Sequence, residues 1–227
     1  MKKETVIILI LLLFFWLGPD QVKSQNTQDF LIWSGLKLKK EIAPGTSINI
    51  RQEIRLRNNA TEVQKGFIDV GIAYKFNKHL RIGMSYRNSQ NVQRDFAFSS
   101  RHRLVTDLIL KNEWKPIELS YRLRYQMNYK DMFSSENGRI PQQFLRHKIQ
   151  ANVELNKQWT PYAAVEFFNT MDEFPDTKWV QQRFKLGMDY SFNKYTSISV
   201  YYMLRTIQNI NVPATHYILG TSVNIII

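Results

Sequence analysis

Short segments in which apolar and polar residues alternate run along most of this chain, and they constrain its fold more than any other feature. In the clearest segment, the apolar positions Ile117, Leu119, Tyr121, Leu123, Tyr125 and Met127 are separated by Glu118, Ser120, Arg122, Arg124 and Gln126. Successive side chains of a β-strand point to opposite faces, so this pattern predicts strands with one apolar and one charged face.

We count eleven such segments, the first at Asp29–Lys40 and the last at His216–Ile227. Each has about 9–11 residues, which is the length that a tilted strand needs to cross a bilayer. Near the strand ends lie four tryptophans, as in the aromatic girdles of membrane barrels: Trp33, Trp114, Trp159 and Trp179. The sequence therefore predicts an all-β fold, an antiparallel up-and-down transmembrane β-barrel of ten to twelve strands. A soluble, lipocalin-like periplasmic barrel with its apolar face inward stays open as an alternative.

The connections between the segments alternate between short and long. Short ones are expected at Glu41–Gly45, Asn77–Lys78, Asn112–Lys115, Asn156–Gln158 and Asn193–Lys194, and long ones at Asn58–Lys65, Asn88–Ser100, Lys130–Gln142, Thr170–Lys178 and Gln208–Ala214. Outer-membrane barrels show this pattern of short periplasmic turns and longer outer loops. Because bacterial barrels have even strand numbers, either the first segment lies outside the barrel, which gives ten strands, or one segment contains two strands, which gives twelve.

The beginning of the chain has the pattern of a cleavable secretory signal. A basic start precedes the apolar run Val6–Leu17, which is too short to span a bilayer comfortably. We therefore expect residues 1–24 to be a signal peptide and residues 25–227 to form one outer-membrane β-barrel domain in the cell outer membrane. An uncleaved N-terminal anchor is the alternative.

The polar faces of the segments are rich in charge, and the chain has a formal net charge of +12. In a membrane barrel these faces line the interior. The predicted lumen charge network consists of Arg51, Glu53, Arg55, Arg81, Arg87, Arg103, Glu118, Arg122, Arg124, Arg146, Glu154, Glu166, Arg183 and Asp189. Two functions stay open for it, a structural ion-pair network that fills the interior and a narrow, anion-favouring pore that uses the basic excess.

Catalytic, cofactor-binding and metal-binding motifs are not found in the sequence. The chain has no cysteine and four scattered histidines, and neither Gly-x-Ser-x-Gly nor His-Glu-x-x-His occurs. We predict a protein that is not an enzyme and that uses no cofactor or metal. Two alternatives remain: a lipid-active enzyme built on His147 with Ser134 or Ser135, and a barrel that binds a surface ligand through outer-loop aromatics such as Phe96 and Phe174.

The expected partners follow from location and charge. They are outer-membrane lipid and lipopolysaccharide, the barrel-assembly machinery during biogenesis, and a small anionic solute in the lumen. Nucleic acid is not expected, because the basic residues are spread along the chain rather than clustered in a patch.

Several short motifs, in their order along the chain, resemble one family. They are Gln28-Asp29-Phe30-Leu31-Ile32-Trp33, Gln52-Glu53-Ile54-Arg55, Arg101-His102-Arg103, Tyr121-Arg122-Leu123-Arg124-Tyr125-Gln126, Ser134-Ser135-Glu136-Asn137-Gly138 and Glu166-Phe167-Phe168. In this order they are similar to the DUF2490 family of outer-membrane proteins, of the Bacteroidota type. The resemblance covers nearly all of the chain from about Asp29 onward, and it implies an outer-membrane barrel without implying a particular activity.

Overall fold

The computed structural model describes residues 27–93, 97–131, 136–171, 178–209 and 213–227. The predicted signal peptide at residues 1–24 lies outside these ranges, as do Phe96, Phe174 and the two serines of the predicted lipid-active site, Ser134 and Ser135. Within the described ranges, no helix is long and apolar enough to cross a membrane.

The described chain consists almost entirely of β-strands, with one short 3-10 helix at Asn137–Arg139. In chain order the strands are β1 Thr27–Ala43, β2 Thr46–Arg57, β3 Glu62–Lys75, β4 Leu80–Val92, β5 Phe98–Trp114, β6 Ile117–Tyr129, β7 Gln142–Val153, β8 Trp159–Thr170, β9 Lys178–Ser191, β10 Thr196–Ile207 and β11 Ala214–Ile226. Each strand pairs with the next one in sequence, and β1 pairs with β11, so the sheet closes into a barrel. The predicted all-β barrel is confirmed.

The barrel has eleven strands, within the predicted range of ten to twelve. The first segment is a full barrel strand that pairs on both sides, and no segment contains two strands, so neither adjustment to an even number applies. Consecutive strands alternate in direction, and with an odd number the first and last run the same way. The closing pair is therefore parallel, with Thr27 opposite Ala214 and Lys39 opposite Ile226. All other neighbouring strands are antiparallel, as predicted.

The apolar faces of the strands point away from the barrel. In β3, for example, Ile68 is 53% exposed and Ile72 is 50% exposed, whereas Phe67 on the opposite face is 4% exposed. Charged side chains such as those of Glu53 and Arg146 are buried inside. A soluble barrel has the opposite arrangement, with apolar side chains inside, so the lipocalin-like alternative is wrong.

The connections separate the two rims of the barrel. We call the rim with connections 58–61, 93–97, 130–141, 171–177 and 208–213 the loop rim, and the rim with connections 44–45, 76–79, 115–116, 154–158 and 192–195 the turn rim. The predicted long connection Asn58–Lys65 is wrong, because β3 already begins at Glu62. Three consecutive residues, Asn58, Asn59 and Ala60, adopt positive φ and turn the chain within this shorter connection.

Candidate functional site in the barrel lumen

A cavity of about 710 Å³ lies in the barrel lumen, and every strand contributes to its lining. The lining contains nine arginines and four lysines but only two carboxylates, Glu53 and Glu166. The cations are Arg51, Arg55, Arg87, Arg103, Arg122, Arg124, Arg146, Arg183, Arg205, Lys37, Lys65, Lys148 and Lys185. The cavity wall is therefore strongly basic.

The structure brings most of the predicted lumen residues together around this cavity. Those that line it are Arg51, Glu53, Arg55, Arg87, Arg103, Arg122, Arg124, Arg146, Glu166 and Arg183. Three others lie on barrel strands but do not line the cavity: Arg81 is opposite Lys75, Glu118 pairs with Lys111, and Asp189 is on β9. The predicted position of Glu154 in the lumen is wrong, because β7 ends at Val153 and the Glu154 side chain is exposed in the following turn.

Glu53 is held between two arginines of its own strand. Arg55 Nε donates to Glu53 Oε1 at 2.7 Å, and Arg51 Nη2 donates to Glu53 Oε2. Residues two apart on a strand share a face, which is why three charged side chains on β2 can meet inside the barrel. One carboxylate balances two guanidinium groups, so this cluster keeps one net positive charge.

Glu166 on β8 binds three arginines from three other strands. Arg122 Nη2 on β6 donates to Glu166 Oε1 at 2.6 Å, Arg146 Nη2 on β7 donates to the same oxygen at 2.8 Å, and Arg183 Nη1 on β9 lies 3.4 Å from Oε2. The side chains of Glu166 and Arg146 are both buried. This cluster keeps two net positive charges.

Two further arginines have a carboxylate each. Arg124 donates from Nε and Nη2 to the two oxygens of Asp107, both at 2.6 Å, in the bidentate geometry that is the strongest arginine–carboxylate contact. Arg87 Nε donates to Asp69 at 2.9 Å. In each case the two residues lie on neighbouring strands.

Six cavity-lining cations have no carboxylate within ion-pair distance among the described residues, and these are Lys37, Lys65, Arg103, Lys148, Lys185 and Arg205. Neutral groups contact some of them. Arg103 Nε donates to Asn128 Oδ1 at 2.7 Å, and Lys148 Nζ donates to Gln150 Oε1 at 2.5 Å. We call these six the unpaired cations. Of the six, the alternation in the sequence placed Arg103 and Lys148 on inward faces, and Arg103 was included in the predicted network. The same alternation could have indicated the other four.

Aromatic side chains also lie inside the lumen, where the sequence did not predict them. The expectation that Trp33 lies at a membrane interface is wrong. Trp33 is 3% exposed, and the Arg55 guanidinium carbon lies 3.5 Å from its ring centre. Phe168 contacts two guanidinium groups, at 4.1 Å from Arg146 and 4.4 Å from Arg183. Rings that pack against cations in this way stabilise them without neutralising their charge.

The other tryptophans and the histidines lie elsewhere. Trp114, Trp159 and Trp179 are exposed near strand ends, as predicted for interface residues. His147 shares the outer face of β7 with Ile149, and its Nδ1 lies 2.8 Å from the Tyr121 hydroxyl. Among the described residues, no group of three or more histidine or carboxylate side chains is placed to hold a metal ion.

Comparisons with known proteins bear on the chain as a whole. A family model described as "Protein of unknown function (DUF2490)" matches residues 30–216. Among solved structures, the chain is similar to the NanC porin, with 11% sequence identity, a TM-score of 0.46 and coverage of 77% of this chain and 86% of that one. It is also similar to the β domain of the Bordetella autotransporter BrkA, with 10% identity, a TM-score of 0.42 and coverage of 73% and 78%. A comparison with curated proteins found no match.

Proposed function

The chain belongs to the DUF2490 family, and we propose that it is an exported outer-membrane β-barrel protein without catalytic activity whose lumen acts as a narrow, anion-favouring pore. The observation that carries this proposal is the composition of the cavity wall, with thirteen cations against two carboxylates. Rings of one charge sign select permeant ions of the opposite sign in channels.

The surface of the barrel supports a membrane location. Large apolar side chains are exposed along the outward faces of the strands, for example Ile68, Val70 and Ile72 on β3. A continuous apolar surface of this kind is unfavourable in water and is satisfied by lipid. Trp114 and Trp159 at the turn rim fit an interface with lipid headgroups. Lipid, lipopolysaccharide and the barrel-assembly machinery are the partners that this location implies.

The unpaired cations favour a pore over a purely structural network. A structural network needs carboxylates close to its cations, because unpaired buried charge is costly. The clusters around Glu53 and Glu166 and the pairs Arg87–Asp69 and Arg124–Asp107 meet that need. Six other cations in the same wall have no carboxylate partner among the residues described. Small anions from solution can satisfy them, and their passage through the cavity is the proposed activity.

Conductance measurements across a planar bilayer test this proposal. The folded protein in a salt gradient is expected to give discrete steps with a reversal potential that indicates anion preference. Replacing two unpaired cations, in Lys148→Gln/Lys185→Gln, is expected to reduce that preference severalfold. The matched control is Lys157→Gln/Lys194→Gln, which removes two charges from the exposed turns 154–158 and 192–195 and is expected to change the reversal potential little.

Two results would count against an anion pore. Cation preference in the unmodified protein contradicts it directly. The second result is a barrel that inserts into the bilayer but conducts no current, although it migrates on a detergent gel at room temperature as a folded protein. That result supports the structural alternative, in which the lumen is filled and closed.

A further inference from the structure

Three of the unpaired cations lie together in the half of the lumen nearest the loop rim. Lys65 is close to the start of β3, Arg103 is close to the start of β5, and Arg205 is close to the end of β10. All three strand ends are at the loop rim, and all three side chains line the cavity. We call these residues the loop-rim cluster.

Charges of the same sign face one another in this cluster. Lys65 is surrounded by the like charges of four arginines, Arg55, Arg87, Arg103 and Arg205, which repel it. Arg205 is repelled by Arg183 and Arg55 and attracted by Asp29. A fold keeps such mutually repelling groups together at a cost, and a bound anion of more than one negative charge removes that cost.

The same wall holds hydrogen-bond donors that have no acceptor among the residues that the structure describes. Arg205 Nε and Trp33 Nε1 are both buried and unpartnered, and both residues line the cavity. The Arg205 guanidinium carbon lies 5.9 Å from the Trp33 ring centre, so the two donors belong to one part of the wall. Buried donors are nearly always paired in proteins, so two adjacent orphans indicate that the partner is a ligand rich in acceptors.

Donors and positive charge in combination select the chemical class of that ligand. A halide offers one spherical acceptor centre with a single negative charge. A tetrahedral oxyanion such as phosphate carries several separate acceptor oxygens, which can reach donors that lie apart, and it can carry more than one negative charge. Arginine forks and lysine ammonium groups are the usual partners of such oxyanions. We propose that the loop-rim half of the lumen is a saturable binding site for a multivalent oxyanion of the phosphate type, held by Lys65, Arg103 and Arg205 with Trp33 as a further donor.

The inference deepens the proposed function, on which it rests because the ligand enters through the lumen. Two sources share this chemistry, free inorganic phosphate and a phosphomonoester of a small solute. The cavity of about 710 Å³ is larger than inorganic phosphate requires, so the test includes both.

Calorimetric titration of the folded full chain in detergent micelles, at constant ionic strength, measures binding without any current. Inorganic phosphate and glycerol phosphate are titrated separately, with chloride as the reference anion. Saturable heats are expected for the phosphates and none for chloride. Tighter binding of inorganic phosphate identifies the free ion as the ligand class, and tighter binding of glycerol phosphate identifies the ester.

Substitutions locate the site. Arg103→Gln and Arg205→Gln are each expected to weaken phosphate binding by at least about tenfold, because each removes a charge-assisted contact. Trp33→Phe keeps an aromatic ring but removes the donor, and is expected to weaken binding severalfold. Lys157→Gln, in the exposed turn, is the matched control for loss of one positive charge.

Each result decides something. The binding site is overturned if the heats of phosphate titration do not saturate. It is also overturned if the two arginine substitutions and the Lys157→Gln control weaken phosphate binding equally. A folded barrel that conducts anions but fails to bind phosphate overturns this inference alone. A barrel that binds phosphate with the predicted variant pattern but passes no current overturns the pore and leaves the site standing.

Discussion

The phenol ring of Tyr201 on β10 lies directly over Gly220 on the neighbouring strand β11. The two residues are register partners, and a Cβ atom on Gly220 would be only 2.0 Å from Tyr201 Cζ. Tyr162 and Gly187 repeat the arrangement on β8 and β9, where the corresponding distance is 2.4 Å. The two glycines therefore let aromatic rings lie flat against the wall of the lumen instead of projecting into it, and Lys185 packs 3.6 Å from the ring centre of Tyr201.

Gly220→Ala is predicted to force the Tyr201 ring away from the wall. We expect a loss of roughly 1–3 kcal/mol in the free energy of unfolding, as for other overpacked sites, together with a smaller single-channel conductance. Urea unfolding in lipid vesicles measures the first effect. Gly66→Ala is the matched control, because a Cβ at Gly66 meets nothing within 4 Å. The explanation is wrong if Tyr201→Ala, combined with Gly220→Ala, restores neither stability nor conductance.

Glu166→Gln is predicted to destabilise the barrel and to strengthen its anion preference. The substitution keeps the shape of the side chain but leaves the guanidinium groups of Arg122, Arg146 and Arg183 without their shared carboxylate. Breaking a buried ion pair lowers the free energy of unfolding by on the order of 3 kcal/mol. Urea unfolding in lipid vesicles measures this decrease.

The control for this prediction is Glu154→Gln, which removes the same charge from the exposed turn after β7. It is expected to change the free energy of unfolding by less than about 0.5 kcal/mol. Equal effects of the two substitutions would mean that the Glu166 cluster contributes nothing beyond overall charge.

Asp29→Ala is predicted to loosen the connection between β2 and β3. The Asp29 carboxylate accepts hydrogen bonds from the backbone N–H groups of Asn58 at 3.0 Å and Asn59 at 2.8 Å, and so holds this connection against the start of β1. We expect faster proteolytic cleavage at residues 58–61 and a decrease of about 1 kcal/mol in the free energy of unfolding. Glu113→Ala, near the turn rim, is the control, and unchanged cleavage in Asp29→Ala would contradict the prediction.

Tryptophan fluorescence in bilayers of brominated lipid distinguishes the two environments of the indole rings. Bromine quenches rings that contact lipid, so Trp114→Phe and Trp159→Phe are each predicted to remove a quenched component. Trp33→Phe is predicted to remove an unquenched one, since Trp33 faces the lumen. Strong quenching of Trp33 by brominated lipid would place its ring on the outside of the barrel and contradict the structure.

Sequence periodicity predicted the strands and ten of the cavity-lining charges because both depend on a single local rule, the alternation of side chains along a strand. It failed at Trp33 because β1 carries apolar residues on both faces there: Leu31 is fully buried inside, while Ile32 takes the opposite face. An apolar patch on the inner wall, which includes Leu31, Met203 and Ile218, obscured the pattern.

The ion pairs in the lumen could not be predicted from a single sequence, for a different reason. Arg122 and Glu166 are separated by 44 residues, and their strands are not neighbours in the sheet. Their contact depends on the register of two strand pairs, because Arg122 is opposite Lys148 on β7 and Lys148 is opposite Glu166 on β8. Sequence charge alone could not show that one carboxylate contacts three arginines while six lining cations have no carboxylate partner within the described part of the chain.

The parallel pairing of β1 with β11 also fixes the sidedness of the molecule. Thr27 is level with Ala214 at the loop rim, and Ile226 is level with Lys39 towards the turn rim. The described chain therefore crosses from one rim of the barrel to the other an odd number of times, and it starts and ends at opposite rims. Epitopes placed directly before Thr27 and directly after Ile227 would lie on opposite faces of the same membrane. In an even-stranded barrel both epitopes would be reached by antibody from one side.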